Sequence, residues 1–504
     1  MRASIDWSWN LLTEQEQLLL QRLSVFSGGW TLEAAQSICV DEALHAETIL
    51  ELTSSLAKKS LLIVEQVERH TTHYRFHEIV RQYAHEKLVD ECTIRTRHLQ
   101  YYHQVSEKIE VALRGPQPGE CLDLIHIEHG NLFAALEWAV KTDVETGLHI
   151  ASNLKHYWEM MDIFGGEAWL RQLLEKEASS LYPLARAQAL CIRTALLTLM
   201  VKPEQASECA AEGLKLYETL GNPIGEIDGL LSVSLATGSG DHLKKALEKS
   251  KALGDTGRQA KVYERLAWGG GRRENRRWYL EKALSLLRDS GNLIQIAGML
   301  IDLAAIDYSE GQYESALKEF EEFIDNDKSL TAEYFKTNDL RTIFARATIS
   351  LLKGDYEQSR VGYEQCAQVI EKVGDRYDGS WLRARAGHAA VLEGDFPAAR
   401  SIFTEATYGF QNINSENGLA FTLEGAANLC ARIGKYEQAA RLIGWADAAR
   451  KRVGDNRPHG EQADVDRIIS ACLIKIGEES FSDAYDAGQK MTMDEAIVYA
   501  LEES

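Results

Sequence analysis

Four arginines within six residues, Arg272, Arg273, Arg276 and Arg277, form a basic knot in a chain whose formal net charge is −21. Their spacing makes two i, i+4 pairs, which would bring four guanidiniums near one helix face. Such a cluster could hold a phosphate or a carboxylate on a ligand. It also reads as a solvated helix start answered by Glu274, Glu281 and the acidic surroundings. Histidines at 70, 73 and 77 are a weak metal set, because the pattern spreads them over a turn, a strand and a helix start with no partner cysteine. The eight cysteines form no C-x-x-C pair and mostly fall in helical patterns, as expected of reduced thiols in a cytoplasm. Nothing reads G-x-x-x-x-G-K-[ST]. Gly269-Gly-Gly271 runs into Arg272-Arg273, with no strand before it and no Lys-Ser/Thr after it to cradle a phosphate. No nucleophile–base pair stands out either, so the chain is expected to be no enzyme and to carry no cofactor of its own.

The elements that must position such residues are mainly helices. At 504 residues, with 45% hydrophobic content and only 7 prolines, the chain has length for two or three domains and a large core. One phrase recurs four times, as Gly311-Gln-Tyr313, Gly354-Asp-Tyr356, Gly394-Asp-Phe396 and Gly434-Lys-Tyr436. Each glycine reads as a left-handed helix end followed by a new helix. Five residues on comes a small residue (Ala316, Ser359, Ala399, Ala439). Apolar positions follow four and seven residues later: Phe320 and Phe323, Tyr363 and Cys366, Phe403 and Ala406, Ile443 and Ala446. That is one helix face. Seven residues before each glycine another small residue (Ala304, Ala347, Gly387, Ala427) would let paired helices approach closely. A period of about 40 residues marks a stacked helical array. Ala206, Ala246 and Ala283 continue the phase upstream, so seven or eight hairpins are expected from near Leu154 or Leu184, curling into a superhelix with a concave face.

The first hundred residues read differently. Helices are expected over Asp6–Leu23, with a Thr13/Glu16 capping box inside it or at a second start, and over Thr31–Cys39, Ile49–Ala57 and Glu78–Val89. Leu61–Val64 and Thr72–Phe76 read as a β-hairpin around a polar turn. Helices, a hairpin and a closing helix suggest a winged-helix domain, which can enter a DNA groove. Residues 1–100 hold 14 Asp and Glu against 10 Lys and Arg, with only Lys58 and Lys59 paired. A DNA-reading helix needs a denser basic face. The N-terminus lacks a signal-peptide pattern and no apolar run approaches a membrane span, so no membrane partner and a cytoplasmic location are expected.

Several phrases carry a family resemblance. Asp6-Trp-Ser-Trp-Asn-Leu-Leu12, Arg22-Leu-Ser-Val-Phe-Ser-Gly-Gly-Trp-Thr-Leu-Glu-Ala-Ala35 and Lys59-Ser-Leu-Leu62 resemble the segment after the nucleotide-binding module of bacterial STAND-class predicted ATPases. These are relatives of NB-ARC switches and of large transcriptional regulators. Ile127-Glu-His-Gly-Asn131-Leu-Phe-Ala-Ala-Leu-Glu-Trp138 is similar to the phrase that leads into their repeats, with Asn131 expected to satisfy backbone at a helix junction. The repeats themselves resemble a long variety of the tetratricopeptide (TPR) repeat. Arg441-Leu-Ile-Gly-Trp445 and the Thr492/Glu495 capping box resemble the last repeat and closing helix. Phe76-His77-Glu78 is similar to the Met-His-Asp motif, whose histidine, by the resemblance, contacts the phosphate of bound ADP. A neutral or protonated imidazole can donate to a phosphate oxygen. His77 could equally face solvent or its own helix terminus.

The resemblance implies a mainly α chain: a winged-helix domain over 1–95, a helical arm over 96–183, and TPR-like repeats with a capping helix over 184–504. It implies the regulatory part of a switch without the nucleotide-binding module, with ADP or ATP entering only through an NB-ARC-like module in trans. A protein partner or small effector would sit on the concave face. A free-standing TPR scaffold and a DNA-binding regulator are the alternatives.

Overall fold

A computed structural model describes residues 2–67, 71–113, 119–270, 275–289, 292–330, 340–372 and 375–501. The chain divides into two compact units, Met1–Ile294 and Gln295–Ser504. The division falls inside the run of helical hairpins.

The first unit opens with α1 (Arg2–Asn10), α2 (Glu14–Leu23), β1 (Gly29–Thr31), α3 (Leu32–Cys39), α4 (Ala46–Lys58), β2 (Leu62–Val67), β3 (Thr71–Phe76) and α5 (Glu78–Glu86). The expected first helix is therefore two, and Thr13 caps the second. Its side chain accepts from the Glu16 amide while the Glu16 carboxylate accepts from the Thr13 amide, which satisfies two orphan donors reciprocally. β2 and β3 form the expected hairpin, paired Leu62 to Phe76 and Val67 to Thr71. A third strand, β1, joins the other side of β3, with Trp30 opposite Tyr74. At three residues β1 is too short to carry an alternating pattern. It buries Trp30 completely, stacked at 5.3 Å on Phe26.

Two long helices, α6 (Glu91–Leu113) and α7 (Gly119–Thr142), follow, then α8 (Val144–Asn153), α9 (Lys155–Met161) and α10 (Ile163–Leu174). The hairpins of this unit pair α11 (Pro183–Leu199) with α12 (Pro203–Leu220), α13 (Pro223–Thr237) with α14 (Gly240–Ala252), and α15 (Thr256–Arg265) with α16 (Arg276–Arg288). Ala206, Ala246 and Ala283 are fully buried, as the repeat phase requires.

In the second unit α17 (Leu293–Ser309) pairs with α18 (Tyr313–Leu330), α19 (Leu340–Lys353) with α20 (Tyr356–Lys372), α21 (Arg376–Glu393) with α22 (Phe396–Asn412), and α23 (Glu416–Arg432) with α24 (Tyr436–Val453). All four phrase glycines adopt left-handed backbone, φ 78° to 90°. The next helix begins at the aromatic residue each time. Ala316, Ser359, Ala399 and Ala439 are fully buried, as are Phe320, Phe323, Tyr363, Cys366, Ile443 and Ala446. Helix α25 (His459–Gln489), broken at Gly477, and α26 (Met493–Leu501) end the chain, and the Thr492/Glu495 box caps α26 as expected.

Candidate functional site

A buried amide ties the winged-helix domain to the arm, beside a hydrogen bond from Arg97 on α6 to the Val40 carbonyl. Asn131 on α7 accepts a hydrogen bond from the Ser27 amide at 2.8 Å and donates to the Gly29 carbonyl at 2.8 Å, so it takes up the backbone entering β1. The same amide group donates to Glu128 at 2.8 Å, and Glu128 also accepts from the Tyr102 hydroxyl. Asn131 is fully buried. Gly130 makes the approach feasible, since a methyl group there would stand 2.2 Å from the Ser27 carbonyl oxygen. His98 completes the joint between Phe26 and Tyr102. Burial holds its imidazole down at about 3, against a hydrogen bond to Asn131 that favours protonation. Burial likewise raises the Glu128 carboxyl. The sequence reading placed Asn131 at a helix junction; its partner is in fact the strand β1.

His77 is exposed at the N-cap of α5, and its side chain makes no capping hydrogen bond. The imidazole is thus accessible for an external acceptor. The neighbouring cations are committed within the domain. Arg81 pairs with Glu78 and Arg75 with Glu65. Lys59 donates to both oxygens of the buried Glu16 at 2.6 and 2.7 Å. Burial raises the Glu16 carboxyl, but hydrogen bonds from Lys59, Ser55 and Thr13 outweigh it and bring it down to about 2. Helix α4, placed before the hairpin where a groove-reading helix would lie, exposes Glu47, Leu50, Glu51 and Lys58. Its outer face carries more acid than base. His73 is buried inside the sheet and His70 lies outside the described residues. Among the described residues no group of His, Cys, Asp and Glu could hold a metal ion.

Two of the four arginines of the knot, Arg276 and Arg277, fall within the described residues. Arg272 and Arg273 lie outside the described residues. Arg277 donates to Glu281 at 2.9 Å, and the Arg276 guanidinium lies 5.0 Å over the Trp268 ring. These two are held by their own element and its neighbour.

Sequence reasoning missed a cavity of about 540 Å³ in the second unit. Its walls come from α17, α19, α21 and α23, the first helix of each hairpin, from the leading tyrosines of α18, α20 and α24, and from α25 between Gly460 and Ala471. A methyl at Gly460 would stand 3.3 Å from the Tyr308 carbonyl oxygen, so α25 meets the end of α17 backbone to backbone. A buried ion network holds α25 there. Arg450 pairs bidentately with Glu424 at 2.8 and 2.9 Å and also reaches Asp455 and Glu461. Arg457 reaches Glu424 and Asp447. Into the cavity α21 presents Arg385 and His388. The Arg385 guanidinium lies over Tyr308, Trp381 and Phe344 at 5.0 to 5.8 Å. His388 stacks on Phe421 at 4.6 Å, and burial holds its imidazole down at about 4. Trp381, Arg385 and His388 stand at i, i+4, i+7 on α21, a spacing that marks one helix face.

Residues 12–89 match the model of the winged helix-turn-helix domain. Over 99% of its length the chain is 24% identical to a Mycobacterium tuberculosis protein named as a candidate HTH-type transcriptional regulator, and to its Mycobacterium bovis counterpart. It spans 66% of those relatives' length. An uncharacterized M. tuberculosis protein is 40% identical over 87 residues. Among solved structures, a Signal Transduction ATPase with Numerous Domains protein with a tetratricopeptide repeat sensor from Pyrococcus horikoshii aligns with TM-score 0.43 and 14% identity, covering 95% of this chain and 66% of that one. The chain carries a winged helix-turn-helix domain followed by an array of helical hairpins, and it is similar in sequence to proteins named as regulators.

Proposed function

We propose that this chain is the non-catalytic sensing and relay part of a STAND-type signalling switch. Its TPR-like array takes an effector, and its winged helix passes that state to a nucleotide-binding module through His77. The observation that carries this reading is the buried Asn131 joint, which makes the strand β1 and the arm helix α7 one mechanical piece. A domain that only read DNA would gain nothing from anchoring its sheet to the arm through a fully buried amide, whereas a relay must transmit displacement through contacts of this kind. The exposed, uncapped His77 supplies a donor where a phosphate could be met.

The test is nucleotide affinity by calorimetry, with the full chain mixed with an NB-ARC-like nucleotide-binding module. ADP should bind the mixture more tightly than the module alone. His77→Ala should weaken that binding about tenfold or more, the worth of one hydrogen bond to a charged group. Equal ADP affinity with and without this chain would remove the relay; equal affinity for wild type and variant would remove only the His77 contact.

A second reading, a DNA-binding transcriptional regulator, is favoured by the winged helix-turn-helix match and by the names of the relatives. It must contend with the acidic outer face of α4.

A further inference from the structure

We propose that the cavity walled by α17, α19, α21, α23 and α25 binds a small aryl carboxylate, its carboxylate on Arg385 and its ring among the cavity's aromatic side chains. The inference rests on the reading of the array as a sensor and names the chemistry of what it senses.

The charge inventory comes first. Among the lining residues Glu424 is taken by Arg450 and Arg457, Glu461 by Arg450, and Asp464 by Arg467. Arg385 has no carboxylate within ion-pair distance among the described residues. Its neighbours are three rings and the Tyr363 hydroxyl, while Glu461 acts on it only from farther away. Arg432, at the same cavity, likewise has no partner among the described residues. Rings over a guanidinium orient it and contribute cation–π energy, but they leave its charge uncompensated in a sheltered place, where pairing is worth most. The cavity is therefore short of negative charge at Arg385.

The surrounding acids limit how much charge it accepts. Glu424 and Glu461 line the same wall, so a dianion such as phosphate meets repulsion that a single carboxylate escapes. His388 adds no cation beside Arg385, because burial keeps it neutral down to about pH 4, and Arg432, the other lining cation without a partner among the described residues, is exposed at the end of α23. Shape and surface specify the rest. Tyr313, Tyr356 and Tyr436 add aromatic surface to the lining beside Tyr308, which lies under Arg385, and Phe421, which stacks on Trp381 and His388, and about 540 Å³ lies within the range of small-molecule pockets. A planar ring bearing one carboxylate uses both features.

The experiment is calorimetric titration of the full chain at pH 7 with benzoate, 1-naphthoate and indole-3-acetate, with indole-3-acetamide and inorganic phosphate as controls. At least one of the acids should bind, and the amide and phosphate should not. Arg385→Gln should weaken the acid about tenfold or more. Should that variant fold poorly, Asn428→Asp, at a half-buried lining position, adds a negative charge to the same wall and should weaken the acid in the same direction. Binding of acid and amide alike, acid binding that survives both substitutions, or no heat from any acid up to about 10 mM would overturn the proposal. Tight binding of phosphate would overturn the monoanion argument. Acid binding that leaves the ADP affinity of the mixture with the nucleotide-binding module unchanged would uphold the site and overturn the relay. ADP coupling without acid binding would do the reverse.

Discussion

His98 is where the arm joint meets pH. Its ordinary value of 6.5 is held down to about 3 by burial between Phe26, Tyr102 and Asn131. The unfolded chain therefore binds a proton here below pH 6.5 that the folded joint refuses. Stability from this residue is fully present above pH 6.5 and is lost as pH falls toward 3, at about 1.4 kcal/mol per pH unit. Other histidines, the buried His73 and the half-buried His149 and His388 among them, are also shifted down by desolvation and add to the slope. The comparison must thus be with His98→Phe, which keeps an apolar ring in the site. Chemical denaturation at pH 6.5 and pH 5 should show the wild type losing about 2 kcal/mol more than the variant across that window. Parallel losses would mean that His98 is protonated in the folded joint.

At the scale of the elements, the hairpins of the second unit are spaced by aromatic rings set into glycine hollows. Phe403 on α22 fills the space that a side chain would need at Gly387 on α21 and at Gly425 on α23; added methyl groups would stand 2.6 and 2.4 Å from the ring. Gly425→Ala should therefore destabilise the protein by about 1–3 kcal/mol in urea denaturation. The same change in a Phe403→Leu background should cost clearly less, because the smaller side chain yields the space; additive costs would place the strain elsewhere. Gly387 was readable because it sits in phase seven residues before Gly394, and helix ends, capping boxes and the Ala316, Ser359, Ala399 and Ala439 positions were readable for the same reason: each is set by residues within one turn or one repeat. β1 was not, since three residues have no period and its partner β3 lies more than forty residues on. The cavity was not, since Arg385, Glu424 and Glu461 stand on three helices and only packing brings them together. Lys59 shows the same limit from the other side: the sequence showed it beside Lys58 as a sparse basic pair, and only the fold reveals its ion pair with Glu16.

For the molecule as a whole, the open choice is between a relay domain and a DNA reader, and charge is the property that tests it. Backbone affinity for DNA rises with each lysine or arginine free to neutralise a phosphate. A net charge of −21 opposes approach at long range. At contact, Lys59, Arg75 and Arg81 are already paired within the domain, and α4 offers Glu47 and Glu51 to the groove. The full chain should therefore bind a random duplex more weakly than about 100 µM at physiological salt in fluorescence anisotropy, the weak end of non-specific binding. The sharper form inverts the face. Glu47→Lys with Glu51→Lys should create affinity that falls with salt, steepening the log–log slope by about two, one unit per new phosphate contact. If the unaltered chain instead binds tightly with a steep salt slope, its α4 face must be contacting phosphates through residues other than these. The DNA-reading alternative would then displace the relay as the account of what the winged helix does.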